Sequence, residues 1–329
     1  MEQEPVLSGQ PDSSYGSQTA TVAPAPDPIP GEISVERRVL VTGASGFVGR
    51  HLVKRLLARG HRVRGLSRSP PPPGASSGWR IADVADAAAL RGSANGCDVV
   101  VHLVGIAEER DEQTFDRVHV LGTRNIVDES RRCGVERFVL LSATGADPAG
   151  SPFFRTKHEA ETAVLESGLS AVVLRPSVIY GPGDRFITGL ATLLRRLPVY
   201  PMLGYGAMRL RPIAIEDVGE ALTQTVEREE LNGVIELFGP ESLRFDKIVR
   251  IVAKTLGLRR SVLPLPRALA SPVLWTAAAL GLPQPITAHQ IAMFCQPTVL
   301  RRDENSLRRV FGIEPLPFRD AIADYLGPF

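Results

Sequence analysis

The chain has 329 residues, 43% of them hydrophobic, and a formal net charge of +2. That length allows one large domain or two small ones, the apolar content excludes a globally disordered chain, and the balanced charge gives no reason to expect a nucleic-acid partner. The three cysteines, Cys97, Cys133 and Cys295, are scattered, with neither a metal-ligand spacing nor an even disulfide set, so no metal and a reducing compartment are expected.

Residues 1–35 are rich in Pro, Ser, Gly and Ala, with Pro24, Pro26, Pro28 and Pro30 alternating. Such a composition buries too little apolar surface to offset its ordering entropy, and a solvated tail is expected. It carries Glu2, Glu4 and Asp12, no arginine before Arg37 and no basic stretch followed by an apolar run, so it reads as neither a secretory nor a mitochondrial targeting segment. Only four of the 38 basic residues are lysines (Lys54, Lys157, Lys247 and Lys254), a bias attributed to genome composition rather than to a phosphate-binding surface.

From Val39 the pattern changes. Val39 to Val41 is a short apolar run that suits a buried parallel strand. Val48, Leu52 and Leu56 then recur at helical spacing, with Gly60 as a left-handed stop. Strands are predicted over His61 to Leu66, Asp98 to Val104, Arg137 to Leu141 and Ala171 to Leu174, with helices over Phe115 to Cys133 and Thr156 to Ser167. Strands alternating with helices predict an α/β fold, a doubly wound parallel sheet of Rossmann type. Residues 36–182 form its dinucleotide-binding core. Residues 183–329 return one late strand near 233–238 and add a smaller part, including a predicted helix over Asp246 to Leu256, that closes the cleft. Residues 262–286 are apolar, broken by Arg267 and Pro272, and read as a buried hairpin, a partner face or an interfacial membrane contact rather than a membrane span.

The segment Gly43-Ala44-Ser45-Gly46-Phe47-Val48-Gly49 is a G-x-x-G-x-x-G loop between a predicted strand and a predicted helix. The first glycine permits the tight turn, the second lets backbone N–H groups approach a pyrophosphate, and the third lets the helix pack on the sheet. The helix N-terminus adds donors and a positive dipole end. At the end of the second strand, Ser67 and Arg68 stand where proteins that prefer NAD place a carboxylate on the ribose, so NADPH is expected over NADH. Asp83 and Val84 are placed to reach the adenine, and Leu103, Val104 and Gly105 stand at the end of the strand predicted over Asp98 to Val104, where a cofactor is expected to lie. For Asp83 a turn or cap role is the alternative.

Several segments together resemble the extended and atypical short-chain dehydrogenases: Thr42 to Gly49 (TGASGFVG), Val100 to Gly105 (VVHLVG), Gly122 to Ala143, Arg175 to Asp184 (RPSVIYGPGD) and Arg211 to Val218 (RPIAIEDV). Arg117 to Asn125, Phe153 to Glu161 and Leu263 to Ala270 resemble more narrowly the branch holding the NADPH-binding accessory subunit of respiratory complex I and its bacterial relatives. The resemblance implies a Ser, Tyr and Lys set in a Y-x-x-x-K frame, and a nicotinamide pocket walled by Pro176, Ser177, Val178 and Ile179. Mapped here, Ser142 and Lys157 are present as remnants, whereas Phe153 stands in the tyrosine position and has no proton to give. Losing a positioned acid typically costs roughly 10²–10⁴-fold in rate.

The resemblance therefore implies an NAD(P)H-binding protein of weak or absent turnover. Its expected role is as an accessory subunit of a respiratory NADH:quinone oxidoreductase, cytoplasmic and peripheral on the inner membrane, with membrane-complex subunits as partners. The alternative is a soluble NAD(P)H-dependent reductase or epimerase on a small carbonyl, sugar-nucleotide or quinone substrate. A third reading is a redox sensor that binds its partner according to NADPH occupancy. His102 is expected to bond backbone and His119 to be structural. Tyr180 and His158 lie outside the acid position, and Arg209 and Arg211 face either the cleft or a surface salt bridge.

Overall fold

The structure is a computed structural model and describes residues 35–71, 78–203, 206–265 and 306–327. The proline-rich tail before residue 35 and the part of the apolar stretch from residue 266 to 286 lie outside the described residues.

Seven strands make one sheet: β1 (Arg38–Thr42), β2 (Arg62–Ser67), β3 (Arg80–Ile81), β4 (Val99–His102), β5 (Arg137–Leu141), β6 (Ser170–Pro176) and β7 (Gly233–Leu237). They run in the order β7-β6-β5-β4-β1-β2-β3, every neighbouring pair parallel. This is a doubly wound Rossmann sheet, whose order reverses beside β1 and opens a crevice at the strand C-termini. β4 stops at His102, short of the Val104 predicted, although the Leu103 N–H still donates to the Thr42 carbonyl at 3.2 Å.

Alternate residues of each strand face opposite layers. Val39, Val41, Val99, Val101, Val139 and Val172 pack under α1 (Phe47–Ala58), α6 (Ile215–Glu227) and α8 (Ser306–Phe311). Leu40, Val100, Phe138, Leu140 and Val173 pack under α2 (Ala87–Leu90), α3 (Gly122–Arg132) and α4 (Pro152–Leu165). Gly60 ends α1 with φ +85°, as its spacing predicts.

The helix over Phe115 to Cys133 is continuous but not uniform: Asp116–Leu121 form a π-helical turn before α3. α4 begins at Pro152, a turn earlier than the predicted Thr156, because proline at the first helical position loses no hydrogen bond there. The earlier start brings Phe153 into the helix beside Lys157.

A second apolar cluster joins α5 (Phe186–Arg196), α7 (Phe245–Thr255), α9 (Phe318–Leu326) and the buried Tyr180. Three two-stranded pairs accompany it. Ile179–Tyr180 lies beside Ile213–Ala214, Arg209–Leu210 beside Leu243–Arg244, and Val199–Leu203 beside Ser261–Leu265. Asp217, in the RPIAIEDV segment, accepts the Leu316 N–H at 3.0 Å and so ties the C-terminal stretch to α6. No helix among the described residues is long and apolar enough to cross a membrane.

Candidate functional site

The glycine loop sits at the C-terminal end of β1. Gly43 has φ +71°, and its N–H donates to the Leu66 carbonyl at 2.8 Å, which fixes the turn out of the strand. A β-carbon on Gly43 would lie 3.2 Å from the Leu103 and Val104 backbone, so the loop and the β4 exit are in close contact. A β-carbon on Gly49 would fall 2.2 Å from the Gly43 carbonyl oxygen. Only glycine lets α1 press on the loop this closely. Gly46 caps α1 with no side chain of its own, and Ser45, Phe47 and Val48 are partly exposed around it. The first-turn N–H groups of α1 are thus left to an anion.

At the end of β2, Ser67 is buried. Its hydroxyl donates to the Ser69 carbonyl at 2.6 Å and accepts from the Trp79 indole at 3.1 Å, while Arg68 is exposed. Gly65 makes room for the Trp79 ring, from which a β-carbon there would be 2.4 Å. Asp83 is a turn aspartate, accepting the Ala85 N–H at 2.9 Å and pairing with Arg117 at 3.4 Å. Burial pushes its pKa up, but the Ala85 N–H and Arg117, with a contribution from Arg68, hold it below the usual range. Val84 is buried and gives its carbonyl to the Asn125 amide at 2.9 Å.

The lysine remnant lies at the centre. Lys157 is buried, and its ammonium donates to the Leu141 carbonyl at 3.3 Å, at the end of β5. It also lies so close to Gly105 that a β-carbon there would be 2.9 Å from Nζ. Burial lowers its pKa from 10.5 to about 8, with Glu161 opposing. Ser142, the next residue after β5, has a buried hydroxyl with no hydrogen-bond partner among the described residues. Across β6, Thr144 donates its N–H to the Pro176 carbonyl and the Ser177 N–H donates to the Leu237 carbonyl, while the Ile213 N–H donates to the Val178 carbonyl. Ser177, Val178 and Ile179 remain partly exposed at this edge. The strand ends therefore bring Gly43, Leu103 to Gly105, Ser142, Lys157 and Pro176 to Ile179 to one edge of the sheet.

Phe153 fills the tyrosine position with an aromatic box. Its ring meets Phe115 at 5.7 Å, His119 at 5.5 Å and Phe154 at 5.2 Å, all edge to face. His119 lies on the π turn, with Nδ1 3.0 Å from the Thr156 hydroxyl and Nε2 3.1 Å from both the N–H and the carbonyl of Ile106. Burial first, then Lys157, lowers its pKa to about 2 and keeps it neutral. It is a structural clamp between α4 and the loop that follows Gly105.

His102 is not backbone-bonded as expected. It spans two threonine hydroxyls, Thr42 at 2.6 Å and Thr123 at 3.2 Å, because a buried imidazole inside the sheet finds strand backbone already paired. Burial and then Lys157 lower its pKa to about 3. Tyr180 is fully buried against Phe318, 4.9 Å between ring centroids, and cannot replace the acid. The His158 Nδ1 is buried without a partner among the described residues. Among the described residues Arg211 makes no salt bridge, and it is buried rather than open to the cleft: its guanidinium donates to the Gly239 carbonyl at 3.1 Å and covers the Phe238 ring at 5.2 Å. Arg209 is exposed and donates to the Ser242 carbonyl at 3.2 Å.

One supporting pair was not anticipated. Arg175 on β6 grips Glu161 on α4 through two nitrogens, the Nε at 2.9 Å, one turn beyond Lys157. It fixes the helix that carries the lysine. No group of three or more metal-ligating side chains occurs among the described residues.

The sheet order, the glycine loop and the lysine at the strand ends define a protein of the short-chain dehydrogenase architecture. The chain belongs to the NAD dependent epimerase/dehydratase family, whose model matches residues 39–236. It is 34% identical over 252 residues to the ceramide reductase of Caulobacter vibrioides (strain NA1000 / CB15N), covering 74% of this chain and 76% of that one. The crystal structure of gox2253 superposes with a TM-score of 0.67 at 24% identity, covering 88% of this chain and 96% of the other. MoeE5 in complex with UDP-glucuronic acid and NAD superposes with a TM-score of 0.59 at 26% identity, covering 78% and 97%.

Proposed function

We propose that this protein is an NAD(P)H-dependent reductase acting on a ceramide-like lipid that bears a ketone. The observation that carries the proposal is the buried Lys157 ammonium at the ends of β4 and β5, one residue from the unpartnered Ser142 hydroxyl. The similarity to the ceramide reductase supports the substrate class. The loop fits a dinucleotide: Gly43 to Gly49 leave the α1 N-terminus open, and a side chain at Gly49 would fill the close approach. When bound, the nicotinamide supplies the hydride.

The rest falls to the chain. The Ser142 hydroxyl, without a protein partner, donates to the substrate carbonyl oxygen. Lys157, whose pKa of about 8 leaves it protonated at neutral pH yet able to release its proton, delivers that proton to the same oxygen in place of the missing tyrosine. The resulting amine regains its proton from solvent. The exposed Arg68, with serine rather than a carboxylate beside it, supports NADPH over NADH.

Turnover of an oxo-ceramide with NADPH tests the reading. Lys157→Met should lose roughly 10²–10⁴-fold in kcat, and Phe153→Tyr should be no faster than wild type. A large gain in Phe153→Tyr would show that the wild type lacks a proton donor. For the cofactor, Arg68→Ala should weaken NADPH and leave NADH unchanged; equal weakening of both would remove the 2′-phosphate role.

The acid position filled by the boxed Phe153 ring favours a second reading, a nucleotide-holding accessory subunit of a respiratory NADH:quinone oxidoreductase. Native mass spectrometry of the protein gently extracted from its own cells separates the two. Retained NADPH with large membrane subunits favours the accessory role, and a chain that appears alone favours the reductase.

A further inference from the structure

A second feature lies away from the strand ends. A groove of about 500 Å3 runs between α7 and α9, lined by Lys247, Arg250, Lys254 and Arg319. Two of the chain's four lysines are here, and among the described residues no carboxylate side chain lines the groove. All four cations are exposed, and none has a side-chain hydrogen bond or ion pair among the described residues. Asp246, the nearest acid on α7, is taken by Arg244 at 2.9 Å, and Arg250 acts on it only through space. Asp320 and Asp324 on α9 are exposed and stand outside the lining.

Lys247, Arg250 and Lys254 are spaced i, i+3, i+7, which places them on one face of α7. Buried Ile248 and Val252 hold the opposite face in the core. Seven residues of helix span ~10 Å, so the stripe is longer than a single phosphate. The cations are long, solvated and free to reorient, unlike the buried fixed donors of a small-anion pocket. An extended, open, unpaired basic face matches a plane of many anionic headgroups.

We propose that the α7–α9 groove is a docking surface for an anionic phospholipid membrane. The proposal does not rest on the reductase reading, because no groove residue belongs to the glycine loop or touches Lys157.

The test is sedimentation of the full chain with vesicles of phosphatidylcholine alone and of phosphatidylcholine mixed with phosphatidylglycerol, without ceramide or nucleotide. Binding is expected to the mixed vesicles only, and to be lost at high salt. Each basic residue contributes about fivefold to partition, so Lys247→Glu with Lys254→Glu should weaken binding by at least ~25-fold. The milder pair Lys247→Gln with Lys254→Gln guards against misfolding and should still lose about 25-fold in partition on the same per-charge basis. Equal binding to both vesicle types, or unchanged binding in both variant pairs, would overturn the proposal. Release from the mixed vesicles by millimolar inorganic phosphate at constant ionic strength would also overturn it, in favour of a small-anion site. Self-association that the variants abolish, with no vesicle binding by wild type, would assign the face to a second copy.

Discussion

Replacing Lys157 by methionine should make the nucleotide-free protein more stable, although it removes a residue of the site. The ammonium is buried, and burial lowers its pKa from 10.5 to about 8. Each pH unit between those values is worth about 1.4 kcal/mol, so holding the charged form in the folded chain costs about 3 kcal/mol. The hydrogen bond to the Leu141 carbonyl, 3.3 Å, returns about 1 kcal/mol. Methionine has similar length, keeps the apolar contacts and carries no charge, so the net gain below pH 8 should be about 2 kcal/mol.

The pH dependence is specific. Below pH 8 the lysine is protonated in both folded and unfolded chains, and the full penalty applies. Between 8 and 10.5 the folded chain gives up the proton while the unfolded chain keeps it, so wild-type stability rises with pH through this window. The advantage of Lys157→Met should shrink across the same window and turn into a disadvantage of about 1 kcal/mol above it, where the penalty is gone and wild type keeps the Leu141 hydrogen bond. Urea unfolding of both proteins at pH values from neutral to strongly alkaline measures this directly. A variant less stable than wild type at neutral pH, or a difference that does not change with pH, would refute the reasoning.

Other perturbations follow from the same structure. Gly49→Ala drives a β-carbon to 2.2 Å from the Gly43 oxygen and 2.7 Å from the Ala44 Cα. It should cost about 2 kcal/mol or more and abolish nucleotide binding. Gly134→Ala, at φ +68° with open space around it, should cost about 1 kcal/mol in thermal unfolding. Equal melting losses would contradict the close approach. Glu161→Gln leaves the Arg175 guanidinium with only the Glu236 carboxylate at 3.9 Å and should destabilise by about 2 kcal/mol, less than for a fully buried pair because Arg175 is partly exposed and keeps that second carboxylate. Urea unfolding should show Arg175→Met with Glu161→Leu recovering most of it. His119 stays neutral when folded, so below pH 6.5 the unfolded chain takes up a proton the folded chain refuses, and stability falls as pH falls from 6.5 towards about 2. His119→Gln should flatten that fall in urea midpoints measured at neutral and mildly acid pH; an unchanged slope would count against it.

The core of the fold was readable because its strands are short apolar runs with glycine stops. Val39 to Val41 and Arg137 to Leu141 are buried on both faces, and Gly60 and Gly134 end helices with positive φ. The glycine loop depends on a local residue type at fixed spacing between a strand and a helix, whereas Lys157 was singled out only by the frame that the family resemblance implies. What the sequence hid was contact between distant segments. Nothing local marks His102 as the partner of Thr42 and Thr123, or Arg175 as that of Glu161, since such pairs exist only once the sheet is assembled. Gly65 inside β2 was one usable signal, because glycine within a strand marks close approach, here of the Trp79 ring. The narrower resemblance pointed to a respiratory partner, whereas the chain is similar to the ceramide reductase of Caulobacter vibrioides. Phe153 removes the family's acid and so favours the accessory reading, and the reductase reading stands on Lys157 supplying the proton instead.

The π turn over Asp116–Leu121 gives this stretch a tolerance of length that the α-helix around it lacks. A π turn holds one residue more than the α-helix around it, whereas in an α-helix each residue turns the chain by about 100°. Losing the extra residue here would let the turn rewind as α-helix with both flanks still in phase, so Phe115 would keep its place beside Phe153 and α3 its face on the sheet. The change would fall inside the turn, on His119 and its tie to Ile106. A residue lost within α3 itself would instead rotate one flank by about 100° against the other. A one-residue gap between relatives can therefore sit within residues 116–121 without unseating the helix, and it would be felt at the loop after Gly105 rather than in the core.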